Sequence, residues 1–134
     1  MTKYMADLTI YIDGACKGNP GPAGIGVVIQ KNGETIKEIS KSIGEGTNNI
    51  AEYSALIQAL EEALEKKADS VQIYTDSELV YKQITGEYKV KHPNVSALHL
   101  KARLLMTRFK DIKITHVLRE KNKQADKLAT AALK

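Results

Sequence analysis

Short alternating runs of apolar and polar residues open the chain. Residues 7–13 place apolar side chains at every second position, which predicts a β-strand. Two further runs rich in β-branched residues, 25–31 and 34–43, predict a second and a third strand. The Asn32–Gly33 pair between these two runs is a strong hairpin signal. The first third of the chain is therefore predicted to form an antiparallel meander.

The pattern then changes to helical spacing. From residue 50 onward the apolar residues recur every three or four positions, and Asn49 followed by Glu52 resembles a capping box that begins this helix. Asp76 or Ser77 is placed to cap a second, short helix. The remaining elements are predicted as strands over 71–76 and 112–118 and as helices over 78–84, 94–109 and 122–133.

This order of elements predicts an α/β fold in three layers. Five strands joined by both hairpins and helical crossovers form a mixed sheet, with helices on both faces. The chain has 134 residues, and 43% of them are apolar, which suits one hydrophobic core. No repeat or linker interrupts it, so residues 1–134 are expected to form a single domain, and a monomer is expected because no apolar stripe remains once the core is filled.

Composition narrows the cellular setting. Cys16 is the one cysteine, so the chain has no internal disulfide, as is usual in a reducing cytoplasm. No run approaches the roughly 18 apolar residues of a membrane span, and the N-terminus lacks the pattern of a secretion signal. A cytoplasmic protein without membrane contact is expected.

Positive charge is concentrated in the second half of the chain. The net charge is +4; residues 1–76 contain 7 Lys/Arg against 11 Asp/Glu, and residues 77–134 contain 13 against 5. Such asymmetry is typical of a surface that binds a polyanion, although a solvated lysine-rich surface would have the same composition.

Four acidic residues lie where a mixed sheet would place a site. Asp13 and Asp76 are predicted at the ends of the first and fourth strands, Glu52 in the first turn of the long helix, and Asp126 in the last helix. If the first and fourth strands are neighbours, Asp13 and Asp76 meet. Each residue also has a simpler interpretation, as a turn residue, a helix cap or a surface residue.

Converging carboxylates would need positive charge to compensate them. Oxygen ligands favour Mg²⁺ or Mn²⁺, and two such ions roughly 3.5–4 Å apart can stabilise the attacking and leaving oxygens of a phosphoryl transfer. The sequence lacks a His/Cys cluster for zinc and a phosphate-binding P-loop, so these chemistries are not indicated.

Four short motifs resemble the signatures of type 1 ribonuclease H. They follow the order and spacing of that family and together span nearly the whole chain. The motifs are Asp13–Pro22 (DGACKGNPGP), Thr47–Asn49 with Glu52, Tyr74–Ser77 (YTDS) and Asn122–Asp126 (NKQAD).

The resemblance implies an endonuclease that hydrolyses the RNA strand of RNA–DNA hybrids. Asp13, Glu52, Asp76 and Asp126 would hold two Mg²⁺ or Mn²⁺ ions, and the products would carry 5′-phosphate and 3′-hydroxyl ends. The resemblance also implies that substrate is contacted by Gly14, Asn19, Thr47, Asn48, Asn49 and Ser77. Asparagine can both donate and accept hydrogen bonds, so it can recognise a 2′-hydroxyl group, and Thr47 is expected near a phosphate of the DNA strand.

The chain departs from the family pattern in two places. The segment 116–122 is shorter than the family's loop before the last aspartate and has no glycine; Arg119 is expected to contact the scissile phosphate there. The link over 87–93 lacks the basic, tryptophan-containing handle of some relatives, so this is a small form without that handle. Two alternatives remain open: a nucleic-acid-binding module with little or no cleavage, and activity that extends to double-stranded RNA.

Overall fold

The structure, a computed structural model, describes residues 6–133. Ten elements follow one another in the order that the sequence predicts, apart from one added 3₁₀ turn. They are β1 (Leu8–Cys16), β2 (Gly21–Lys31), β3 (Glu34–Gly46), α1 (Asn48–Glu65), β4 (Ser70–Thr75), α2 (Glu78–Ile84), α3 (Pro93–Met106), β5 (Asp111–His116), the 3₁₀ turn (Arg119–Lys121) and α4 (Lys123–Ala131).

The strands form one five-stranded mixed sheet in the order β3-β2-β1-β4-β5. The strands β1, β2 and β3 pair antiparallel, whereas β4 pairs parallel with both β1 and β5. The predicted mixed sheet is thereby confirmed, and the first and fourth strands, whose neighbourhood the sequence left as a condition, do pair. Because β1 and β4 run in the same direction, their carboxyl ends lie at the same edge of the sheet.

The two faces of the sheet are covered by different helices. Alternate residues of β1, such as Ile10 and Ile12, are fully buried on the face where α1 packs with Leu56 and Leu60. The helix α4 lies on the opposite face, so close to β2 that a Cβ atom at Gly26 would lie 2.1 Å from the Ala125 carbonyl oxygen. Asp13 pairs with Gly26 and therefore points to the α4 face.

Two predictions about where elements begin and end are wrong at positions that matter for the site. The strand β1 continues through Gly14, Ala15 and Cys16, which all pair with β2, so Asp13 lies inside the strand and not at its end. The helix α1 begins at Asn48 and is capped by Thr47, whose Oγ1 accepts a hydrogen bond from the Ile50 amide at 3.2 Å.

The prediction that Asn49 and Glu52 form a capping box is accordingly wrong. Glu52 lies in the second turn of α1, and its carboxylate bonds to another element, as described below. The short helix α2 is capped by Ser77 and not by Asp76, since the Ser77 Oγ accepts a hydrogen bond from the Val80 backbone amide at 3.2 Å. This leaves the Asp76 carboxylate available for other contacts.

An exposed apolar pair on α3 also departs from expectation. Leu100 and Leu104, one helical turn apart, are 59% and 61% exposed. The premise that no apolar stripe remains on the surface is therefore wrong, although the oligomeric state itself stays a prediction. Within residues 6–133, no helix is long and apolar enough to cross a membrane.

Candidate active site

Three carboxylates meet at the carboxyl edge of the central strands. Asp13 comes from β1, Asp76 directly follows β4, and Glu52 reaches over from α1. One oxygen of each side chain lies within 4.8 Å of an oxygen of the other two. The parallel pairing of β1 with β4 brings Asp13 and Asp76 together, which leaves Glu52 as the member whose position needs a separate explanation.

Glu52 is held by a close approach of α1 to β1 at Gly14. The Gly14 amide donates a hydrogen bond of 2.7 Å to the Glu52 Oε1. A Cβ atom at Gly14 would lie 2.4 Å from the backbone carbon of Ala51 and from the Glu52 nitrogen, a distance that no side chain tolerates. Glycine at position 14 thus permits the helix contact and directs the Glu52 carboxylate towards Asp13.

The fourth predicted acid, Asp126, lies at the border of this cluster. It belongs to α4 and contributes to the raised pKa of Asp13, but it is outside the group of three that approach one another within 4.8 Å. Arg119 accompanies it, with 3.8 Å between the Arg119 Nη2 and the Asp126 Oδ1. The four acids and Arg119 all line one open cavity of about 530 Å³.

The pKa values of two of the carboxyl groups are raised strongly. Burial is the main cause for Asp13, followed by the negative charges of Glu52 and Asp76, and together they raise its pKa to about 9. Burial and the charge of Asp76 raise the pKa of Glu52 to about 8. The cluster therefore holds protons near neutral pH unless another positive charge replaces them.

The donor set fits a hard divalent cation. Asp13, Glu52 and Asp76 offer carboxylate oxygens alone, which are the ligands that Mg²⁺ and Mn²⁺ prefer. The raised pKa values of Asp13 and Glu52 also favour a cation site. A bound cation would relieve the repulsion between the carboxylates that protons relieve in its absence.

The residues predicted to contact substrate fall beside the carboxylates. Asn48 lines the same cavity as the acids, and its backbone N–H donates to the Asn19 Oδ1 at 3.1 Å. Asn19, Thr47 and Asn49 line a neighbouring cavity of about 210 Å³. Ser77 is adjacent to Asp76, with its hydroxyl engaged as a helix cap.

Two residues without a predicted contact also line these cavities. Cys16 borders the carboxylate cavity, because β1 continues two residues beyond Gly14. His92 borders the asparagine cavity and caps α3, with its Nδ1 accepting from the Asn94 amide at 3.3 Å. The His92–Pro93 pair does signal the start of a helix, but the position of that start beside Asn19 depends on how α3 packs against α1.

Comparison with known proteins places this site in a family. Residues 11–132 match a family model described as reverse transcriptase-like. The ribonuclease HI of Halobacterium salinarum is 46% identical over 124 residues, which is 92% of this chain. The crystal structure of the RNase H1 from that organism has a TM-score of 0.91 at 45% identity, covering 94% of this chain and 96% of that one. The chain belongs to the ribonuclease H family.

Two other solved ribonuclease H structures agree with this assignment. The N-terminal RNase H domain of a Mycobacterium tuberculosis protein has a TM-score of 0.90 at 39% identity, covering 95% of this chain and 98% of that one. LC11-RNase H1, solved in complex with an RNA/DNA hybrid, has a TM-score of 0.87 at 44% identity, covering 94% and 96%. The relatives therefore confirm the predicted family, fold class and enzyme class.

The curated relatives are longer than this chain. It spans 62% of the Halobacterium ribonuclease HI and 35% of the bifunctional mycobacterial protein, to which it is 39% identical over 128 residues. In the mycobacterial protein, the RNase H domain is the N-terminal one.

The raised pKa values predict how the stability of the metal-free protein depends on pH. A carboxyl group whose pKa is higher in the folded than in the unfolded chain contributes stability below its unfolded pKa, and this contribution is lost as the pH rises through the folded value. For Asp13 and Glu52 that window extends from about pH 4 to about pH 8–9. We expect the melting temperature in EDTA to fall across it.

The variant Asp13→Asn should show a smaller fall, because the amide removes one titrating group and one source of repulsion. Its melting temperature should exceed that of the wild type by a margin that grows with pH, and Mg²⁺ should stabilise the wild type more than the variant. Glu34→Gln, which changes an exposed carboxylate at the start of β3, is the control. If the melting temperatures of the wild type and Asp13→Asn changed in parallel with pH, the ionisation of the carboxylate cluster would not be what destabilises the metal-free protein.

Proposed function

We propose that this chain is an endonuclease that hydrolyses the RNA strand of RNA–DNA hybrids with divalent metal ions, leaving 5′-phosphate and 3′-hydroxyl ends. The observation that carries the proposal is the approach of Asp13, Glu52 and Asp76 within 4.8 Å at the edge of an open cavity. LC11-RNase H1, a relative of nearly the same size, was solved in complex with an RNA/DNA hybrid, which supports this substrate class.

The four acids would hold the metal ions. Asp13, Glu52 and Asp76 would be the inner ligands, because their oxygens lie within 4.8 Å of one another, and Asp126 would complete the set from α4. Two bound ions would supply electrostatic stabilisation to the attacking and leaving oxygens of the phosphodiester. The Gly14 amide keeps the Glu52 carboxylate turned inward, so that this ligand is in place before any ion binds.

Among the described residues that line this cavity, Arg119 is the one with a positive charge. Its side chain is 82% exposed while its guanidinium lies 3.8 Å from Asp126, so it is free to contact a phosphate beside the acids. A planar guanidinium can donate two hydrogen bonds to a phosphate, which would orient the scissile group. In this short form, Arg119 would partly substitute for the family's longer loop by contacting the scissile phosphate.

The asparagines would select RNA by its 2′-hydroxyl groups. Asn48 faces the carboxylate cavity, whereas Asn19 and Asn49 border the next one, so the three side chains follow the path that a strand would take past the acids. The Gly14 backbone would lie next to the sugar-phosphate, and Thr47 and Ser77 would contact phosphates on either side. Exposed Lys89 and Lys91 would add affinity that decreases as salt increases.

A binding module without cleavage is the weaker alternative. A protein that merely holds a polyanion gains nothing from three clustered carboxylates, because without cations they repel it and, as shown above, they are costly to bury. Activity on double-stranded RNA is a narrower question, since it shares the wide minor groove that the asparagines would contact. The single domain over 1–134, the monomeric state and the cytoplasmic location stay predictions.

Cleavage of an end-labelled RNA–DNA hybrid tests the proposal. The wild type should cut the RNA strand with Mg²⁺ or Mn²⁺ and not with EDTA, and Asp13→Asn and Asp76→Asn should each reduce the rate by roughly a thousandfold because a charged ligand is lost. Both variants should still bind the hybrid. Labelling the new 5′ ends before and after phosphatase treatment shows whether they carry phosphate.

Matched double-stranded RNA and double-stranded DNA are the substrate controls for this assay, and Glu34→Gln is the protein control. Full activity of both aspartate variants would refute the metal site. Retained hybrid binding by a wild type that cuts nothing with either metal would favour the binding module.

The role of Asn19 predicts a difference between substrates. Asn19→Ala should weaken binding to the RNA–DNA hybrid by about tenfold, because one hydrogen bond to the substrate and the positioning of Asn48 are lost. Binding to duplex DNA of the same sequence, measured by fluorescence anisotropy at equal salt, should change little. An equal loss for both duplexes would contradict recognition of the 2′-hydroxyl.

A further inference from the structure

Asn122 connects the two charged residues that the last part of the chain contributes to the site. Its backbone amide donates to the Arg119 carbonyl at 2.9 Å and closes the 3₁₀ turn. Its carbonyl accepts from the Asp126 amide at 3.1 Å and begins α4. The turn that carries Arg119 and the helix that carries Asp126 therefore share this one residue.

The side chain of Asn122 connects the 3₁₀ turn and α4 to the central strand β1. Its Nδ2 donates a 2.8 Å hydrogen bond to the carbonyl oxygen of Ile12, a residue 110 positions earlier in the sequence. That carbonyl belongs to the peptide bond that joins Ile12 to Asp13. The hydrogen bond is thus made next to the carboxylate that lies at the centre of the acidic cluster.

The other atom of this amide group argues against a purely stabilising role. Asn122 is 2% exposed, and its Oδ1 is buried without a hydrogen-bond partner among the residues that the structure describes. A buried amide oxygen without a partner costs free energy of about 1–3 kcal/mol, more than a typical hydrogen bond returns. An apolar side chain of similar volume would avoid this cost, so stability alone does not account for asparagine here.

Other contacts hold α4 against β2 and β3. The helix backbone approaches Gly24 and Gly26 closely, and the Ser40 hydroxyl donates to the Leu128 carbonyl at 2.7 Å. These contacts lie along the body of the helix, on the side of β2 and β3. The hydrogen bond to the β1 backbone beside Asp13 comes from the Asn122 side-chain amide.

We propose that Asn122 is a positioning residue, whose side-chain amide on the Ile12 carbonyl holds Asp126 and Arg119 in register with Asp13. The inference rests on the proposed function for its catalytic consequence, while the structural part can be measured without substrate. Asn122 itself touches neither metal nor nucleic acid in this account. It acts through the two residues that its backbone connects.

Two variants separate positioning from stability. Asn122→Ala removes the hydrogen bond and leaves a cavity, whereas Asn122→Leu removes the hydrogen bond and the unpaired oxygen and keeps a side chain that is branched at Cγ, although larger than asparagine. Gln72→Leu is the matched control, because Gln72 is also a buried amide, 6% exposed, but its Nε2 bonds to the Thr115 hydroxyl between β4 and β5.

The kinetic test is a split between kcat and KM on the RNA–DNA hybrid, measured below the melting temperature of each variant. Both Asn122 variants should lower kcat by about tenfold to a hundredfold, as expected when a catalytic group is displaced by about 1 Å, with KM within about twofold of the wild type. Gln72→Leu should keep kcat within about twofold. A kcat for Asn122→Leu that equals that of Gln72→Leu would overturn the proposal.

A double-mutant cycle with Asp126→Asn tests the coupling directly. If Asn122 acts through Asp126, the loss caused by Asp126→Asn should be smaller in the Asn122→Leu background than in the wild type or in Gln72→Leu. Fully additive losses would show that the two residues act independently and would refute the coupling.

Hydrogen exchange of the metal-free protein supplies a readout that needs no activity. In Asn122→Leu, amides in residues 119–131 should exchange faster while those of β1 and β4 stay protected; in Gln72→Leu the segment 119–131 should be unchanged. If the wild type cleaves no hybrid, the proposed function fails, yet this exchange pattern still decides the positioning. Unchanged exchange over 119–131 in Asn122→Leu would overturn it.

Discussion

The candidate site depends on the close approach of α1 to β1 at Gly14. Position 14 has no room for a Cβ atom, because the backbone of Ala51 and Glu52 lies where that atom would be. The same approach lets the Gly14 amide bond to the Glu52 carboxylate at 2.7 Å. The strands alone would bring Asp13 and Asp76 together, but this contact between a helix and a strand adds the third acid and turns an ordinary strand edge into a site.

That arrangement has an electrostatic cost, which in turn indicates its use. Three carboxylates within 4.8 Å of one another, partly removed from water, raise the pKa of Asp13 and Glu52 well above their ordinary values. A protein gains no stability from such a cluster, so its presence points to a ligand of positive charge. In the proposed function, the exposed Arg119 beside Asp126 and the asparagines along the adjoining cavity would provide the contacts for a phosphate and a ribose.

The sequence predicted the parts of the fold that local patterns determine. Period-two and helical spacing predicted the order of the elements, and in such a fold the first and fourth strands could be neighbours, which would bring Asp13 and Asp76 together. The errors arose where a tertiary contact decides between two local options. Thr47 and Asn49 are both good helix caps, and the bond from Gly14, which engages Glu52, is absent from any local pattern. The role of Asn122 depends on a partner 110 residues away and had no signal in spacing.

The most direct test of the account is to locate the metal ions themselves. Crystals of the wild-type protein grown or soaked with Mn²⁺, measured at the manganese absorption edge, would reveal bound manganese by its anomalous signal. The account predicts a strong peak enclosed by the carboxylates of Asp13, Glu52 and Asp76, and its loss in crystals of Asp13→Asn prepared in the same way. Manganese bound elsewhere, with no peak among these three carboxylates, would contradict it.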